Sequence, residues 1–154
     1  SWTSTGNTLS TTWNDLSGAS SNQPSFSGWT KFGHVGGNGT SGGGGGAGGG
    51  AGSIGANAVS STGGNGGSGI LFSDFTSYGA SGYFGGGGGG GSDNGTAGSA
   101  QHGGGAGVSS TYASGVNGTA TTGGGGGGTG NPGGYSSFNY KGGNGGSGTI
   151  LIKY

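Results

Sequence analysis

Apolar residues do not recur along this chain with a helical period, and they seldom alternate as in a half-buried strand. They stand instead in short islands between blocks of glycine: Gly42–Gly46, Gly48–Gly50, Gly85–Gly91, Gly103–Gly105 and Gly123–Gly128. Two islands, Ile70-Leu71-Phe72 and Thr149-Ile150-Leu151-Ile152-Lys153-Tyr154, have the β-branched and apolar texture of short strands. Residues 1–35 differ again. They are rich in Ser and Thr, hold Trp2, Trp13 and Trp29 and have almost no glycine runs, and they read as short β-strands joined by turns. The pattern divides the chain into a base or attachment segment, 1–35, and a glycine-rich domain, 36–154.

The glycine runs limit the regular structures available. Each glycine in a helix costs about 1 kcal/mol relative to alanine, and a glycine strand has no side chains to pair across a sheet. The remaining option is the extended three-residue-per-turn helix, polyglycine II, whose N–H and C=O groups all point outward. Side-chain-free rods can approach until each bonds to its neighbours, which satisfies the demand that buried backbone groups be paired. Ordering a seven-residue rod such as Gly85–Gly91 costs roughly 7–14 kcal/mol of backbone entropy, so rods must share bonds cooperatively. The expected fold is a bundle or sandwich of polyglycine II helices with short β-strands at the N-terminus and C-terminus and no α-helix.

An internal repeat fits this geometry. Gly36-Gly-Asn-Gly-Thr-Ser-Gly42, Gly63-Gly-Asn-Gly-Gly-Ser-Gly69 and Gly142-Gly-Asn-Gly-Gly-Ser-Gly148 space Asn and Ser three apart, on one edge of a three-fold rod. Thr62, Asn65 and Ser68 share an edge in the second copy; Lys141, Asn144, Ser147 and Ile150 do in the third. Thr40 interrupts the first copy, which is therefore expected outermost or imperfect, while Gly85–Gly91 and Gly123–Gly128 are expected at the centre.

Composition narrows the function. Of 154 residues 53 are glycine, 25% are hydrophobic and 4% are charged, with zero formal net charge. Arginine is absent, so the basic clusters of a nucleic-acid binder and the basic face of a membrane-surface helix are missing. No apolar run is long enough to span a bilayer, no signal peptide is evident, and the first residue is Ser1, so the sequence reads as a processed or excised piece. Without cysteine no disulfide framework can replace a core. Strict Gly-X-Y spacing is lacking and only Pro24 and Pro132 are present, which excludes collagen.

Chemical motifs are weak. Gly-x-Gly-x-x-Gly matches at Gly37, Gly64 and Gly143 have no βαβ frame, and the copy at Gly63 resembles a calcium-binding nonapeptide but has Ser68 where the carboxylate belongs. His34 and His102 with Asp15, Asp74 or Asp93 show no catalytic or metal-ligand spacing, and His102 reads as a loop-tip or rod-end residue. The triplets at Asn38, Asn94 and Asn117 fit N-glycosylation but matter only in a eukaryotic secretory context. No enzyme activity, cofactor or metal is expected.

Aromatic segments remain. Phe72, Phe75, Tyr78, Tyr83 and Phe84 lie between two glycine blocks, Tyr112 in the next connection, and Tyr135, Phe138 and Tyr140 in another. Tyrosine among Ser, Gly and Asn is the composition of recognition loops, although such rings also cap a bundle. Phe75, Tyr78, Tyr83, Tyr112, Tyr135 and Phe138 are the candidate contact residues.

The glycine blocks, the Gly-Gly-Asn-Gly-Gly-Ser-Gly repeats and the aromatic loops over 36–154 resemble the glycine-rich adhesins at the tips of bacteriophage long tail fibres. The closing stretch Gly142–Tyr154 is similar to the end of glycine-rich domains in many phage and bacterial surface proteins. The resemblance implies a sandwich of polyglycine II rods, located extracellularly on the virion, whose loops bind a host outer-membrane protein or glycan. It implies attachment to the rest of a tail fibre, with a trimer among the assemblies it allows. Residues 1–35 match no fibre-attachment domain. The alternative is an extracellular structural protein, a filament or matrix subunit or, with its bulky aromatic insertions against it, an ice-binding bundle.

Overall fold

The computed structural model describes residues 27–28, 30–109, 113–130 and 140–154. Most of the Trp-bearing segment 1–35 therefore lies outside the described residues. No α-helix occurs among those described, and the named elements are β1 (Ile70–Leu71), a 3-10 turn (Ser73–Phe75) and β2 (Tyr83–Phe84). Everything else regular is an extended rod.

Ten rods follow one another, alternately up and down: rod 1 (34–40), rod 2 (44–51), rod 3 (53–59), rod 4 (62–68), rod 5 (85–92), rod 6 (96–101), rod 7 (103–109), rod 8 (115–119), rod 9 (122–130) and rod 10 (141–147). The hydrogen bonds between any two recur at every third residue. Rod 1 donates to rod 2 from His34, Gly37 and Thr40 to the carbonyls of Gly50, Ala47 and Gly44, at 3.0, 2.8 and 2.9 Å. Three residues per turn is the signature of a polyglycine II helix, and it gives each rod separate rows of N–H and C=O groups aimed at separate neighbours.

Rod 5 shows the full pattern. Carbonyls of Gly85, Gly88 and Gly91 accept from rod 2, those of Gly86 and Gly89 from rod 9, and those of Gly87 and Gly90 from rod 6. Its N–H groups at Gly87 and Gly90 reach rod 4, and those at Gly89 and Ser92 reach rod 7. Donor and acceptor rows thus alternate around the rod, which makes Gly85–Gly91 the most connected segment of the bundle. Residues 86–92 are all buried.

Rods 1 and 10 stand at opposite edges, each bonded to two others: rod 1 to rods 2 and 3, rod 10 to rods 8 and 9. Two repeat copies therefore lie at edges: the interrupted first copy, as its Thr40 leads one to expect, and the uninterrupted third. The second copy, in rod 4, turns the carbonyls of Thr62, Asn65 and Ser68 together toward rod 3, where Val59, Ala56 and Ser53 donate to them. In the third copy Lys141 and Asn144 face rod 8 in the same way. Rod 9 is bonded to rods 5, 7, 8 and 10, but Gly123 and Gly125 are exposed, so that run is less central than rod 5.

Glycine is obligatory at many of these contacts because no room exists for a side chain. A Cβ on Gly89 would overlap the carbonyl oxygen of Gly98, and one on Gly98 that of Gly64. The buried apolar side chains among the described residues are only Ala47 and Ala58. The core is hydrogen-bonded backbone. Buried Ser92 and Thr122 cap it at either end: Ser92 Oγ donates to the Ser61 carbonyl at 2.5 Å and accepts from Gly95 N–H at 2.7 Å, while Thr122 Oγ1 donates to the Thr119 carbonyl at 2.7 Å.

The expected C-terminal strand does not form. Residues 149–154 follow edge rod 10 and have no strand partner; β1 instead pairs with β2, antiparallel, Ile70 opposite Phe84 and Leu71 opposite Tyr83. The terminal run meets connection 69–85 through side chains, Leu151 beside Phe75 and Lys153 at Asp74, rather than through a strand ladder.

Candidate recognition loops

Alternating rods place the connections at two ends of the bundle. Residue 34 enters at the near end, which also holds the turns at 51–53, 101–103 and 119–122, the long connection 69–85, and the C-terminal run. The far end holds the turns at 41–43, 59–62 and 92–96. Ser109, Ala113, Gly130 and Tyr140, which flank the connections bearing Tyr112, Tyr135 and Phe138, also stand at the far end, and those three aromatics lie outside the described residues.

Connection 69–85 is built by local bonds. The 3-10 turn begins after Phe72, with Phe75 N–H donating to the Phe72 carbonyl at 2.9 Å, and Tyr78 N–H donates to the Phe75 carbonyl at 2.9 Å. Gly82 N–H then returns to the Tyr78 carbonyl at 2.8 Å. The reversal into β2 needs left-handed backbone at Gly79, Ser81 and Gly82, with φ of 61°, 55° and 85°, a conformation glycine supplies cheaply.

The three described candidates have different surroundings. Tyr78 at the apex is 57% exposed. Phe75 is half-buried and lines a cavity of about 200 Å³ with Phe72, Phe84, Thr149 and Leu151. Tyr83 stacks on His102, ring centroids 3.8 Å apart and 6° from coplanar. Phe72 joins Phe32 edge-on at 6.0 Å and Phe84 at 6.1 Å. Phe75 and Tyr83 thus help to build the loop, and Tyr78 is the ring it presents.

His102 completes the loop's anchorage. It occupies the 101–103 turn at φ 41°, the rod-end position expected of it, and its Nδ1 accepts the Gly69 N–H at 3.1 Å just before β1. Its stacking on Tyr83 joins residues 19 apart in sequence and has no sequence signal. The C-terminal run lies on the same connection: Leu151 lines the cavity and Lys153 Nζ meets Asp74 Oδ2 at 2.9 Å in an exposed ion pair. Leu71, Ile150 and Ile152 are exposed beside it. No cluster of His, Asp or Glu that could hold a metal occurs among the described residues.

A helix-free bundle of cross-bonded glycine rods defines the class of protein. Residues 2–154 match the family model described as a glycine-rich domain, and the chain belongs to that family. No curated protein and no solved structure matched the chain.

Proposed function

We propose that this chain is a receptor-binding adhesin at the tip of a bacteriophage tail fibre, recognising a host outer-membrane protein or glycan through loops held on the glycine bundle. The observation that carries the reading is the contrast between scaffold and loop. Rods cross-bonded at every third residue fix the feet of each connection, and connection 69–85 lifts an exposed Tyr78 from that base. A loop held at both feet loses little further entropy on docking, and tyrosine supplies contact area at low entropic cost. The fibre partner and the extracellular virion location belong to the same proposal, and the contact roles of Tyr112, Tyr135 and Phe138 belong to a second contact face, since the feet of their connections stand at the end opposite Tyr78.

The test is adsorption of labelled protein to a panel of bacterial strains, with and without protease treatment of the cells, alongside Tyr78→Ala and Tyr135→Ala. Strain-selective binding lost in the variants supports the adhesin. A structural role is the second reading, favoured by exposed Leu71, Ile150 and Ile152 at the near end. Absence of binding together with filaments in light scattering supports that reading instead.

A further inference from the structure

Rod 5 has six rows of backbone groups and five rod neighbours. The unmatched row is its third set of N–H groups. Gly85, the first of that set, donates to the Thr122 carbonyl at 2.7 Å, at the near end. Gly88 and Gly91 are buried, and their N–H groups have no acceptor among the described residues. Burying an unpaired backbone donor is costly, so such groups call for a partner.

These donors open between rods 2 and 9. A Cβ placed on Gly48 would lie 3.3 Å from Gly88 N, and one on Gly125 would lie 3.4 Å from the same atom; Gly45 and Gly128 flank Gly91 N in the same way, at 3.2 and 2.6 Å. Gly48 and Gly125 are exposed, so a groove stands open there, with glycine at each of the four wall positions that would otherwise fill it. The carbonyls of Gly46 and Gly49 on rod 2 and of Gly126 on rod 9 likewise accept no hydrogen bond from the described residues. By the alternation of rows around each rod they are the groups that face this groove.

We propose that this groove is a binding site for one extended segment of a partner polypeptide, taken up as an additional rod. Its carbonyls accept from Gly88 and Gly91, and its N–H groups donate to the carbonyls of rods 2 and 9. The three-fold period sets the partner's sequence. In each turn one residue points its Cβ at rod 5 and must be glycine, the next uses its N–H on a wall, and the third turns its N–H to solvent and accepts proline. The ligand class is therefore Gly-x-Pro repeats in a polyproline II conformation, which lowers the entropy cost of binding. A second copy's edge rods do not fit, because they carry exposed side chains: Lys141 and Asn144 on rod 10, Val35 and Asn38 on rod 1.

The experiment is an NMR titration of labelled protein with a five-repeat Gly-Ser-Pro peptide and, as control, the five-repeat Gly-Pro-Ser peptide. The control has the same composition but places proline where a wall-directed N–H is needed. Expected are shifts at the Gly88 and Gly91 amides with the first peptide, and binding about thirtyfold weaker with the second, the loss of one hydrogen bond in each of the two turns seated on Gly88 and Gly91. Gly125→Val fills the groove and abolishes binding at an unchanged melting temperature. Gly39→Val, whose Cβ has its nearest neighbour at 3.4 Å in the Gly44 carbonyl oxygen, retains it. Three results overturn the proposal: no amide shift at millimolar peptide, with water contacts to Gly88 and Gly91 showing a hydrated groove; equal binding by Gly125→Val; or peptide-independent shifts that grow with protein concentration, assigning the groove to a second copy.

Discussion

Asn65 Oδ1 accepts two hydrogen bonds from Ser99, from its N–H at 2.9 Å and its Oγ at 3.0 Å, tying rod 4 to parallel rod 6. The same device joins the other parallel pairs at the edges: Asn57 Oδ1 accepts the Asn38 N–H, and Asn117 Oδ1 the Asn144 N–H, each at 2.8 Å. In each of these three parallel pairs the asparagine side chain adds to the backbone bonds between the rods. Asn65→Ala should cost about 1 kcal/mol, read as a lower denaturation midpoint. An unchanged midpoint would show that water replaces the amide without loss.

Glycines of the bundle should divide sharply by what surrounds them. Gly98→Ala drives a methyl group into the Gly64 carbonyl and should destabilise by about 3 kcal/mol or more. Gly125→Ala, with 3.4 Å to its nearest neighbour, should stay within about 0.5 kcal/mol of the parent. Thermal melts of the two variants check the contrast, and equal effects would contradict the rod packing.

His102 has two separable contacts. His102→Phe keeps a ring for Tyr83 but strands the buried Gly69 N–H, at a cost of about 1–3 kcal/mol. The expected readout is faster amide exchange at Gly69 and in connection 69–85, with rod 5 amides unaffected. Uniform slowing or no change would place the loop's anchorage elsewhere.

The ion pair between Lys153 and Asp74 leaves their side chains 65% and 55% exposed. Lys153→Ala should therefore alter stability by no more than about 0.5 kcal/mol and show little salt dependence. A larger loss, measured by chemical denaturation at low and high salt, would mean that the C-terminal run depends on this pair to stay on the loop.

Tyr78→Ala should leave the melting temperature unchanged, since the ring is exposed at the loop apex. A loss of strain-selective adsorption at constant stability would then be a loss of contact. Tyr83→Ala should lower stability as well, because its ring stacks on His102.

The kind of order available to the chain was legible in its residues. Runs such as Gly85–Gly91 exclude helix and sheet, and the three-residue spacing of Asn and Ser in the repeats already marks one edge of a three-fold rod. The sequence also marked the interrupted copy at Thr40 as an edge rod, though not the equal edge position of the third copy, and His102 as a loop tip or rod end. Only the tertiary structure decided which rods are neighbours, because glycine blocks are chemically alike and no side-chain code distinguishes one partner from another. The rank of rod 5 over rod 9 follows from how the chain folds back. So do the pairing of β1 with β2 in place of a C-terminal strand, the stacking of Tyr83 on His102, and the groove above Gly88 and Gly91. Backbone hydrogen bonding supplies the cohesion here, and its partners are fixed by position in the lattice of rods, which local sequence does not encode.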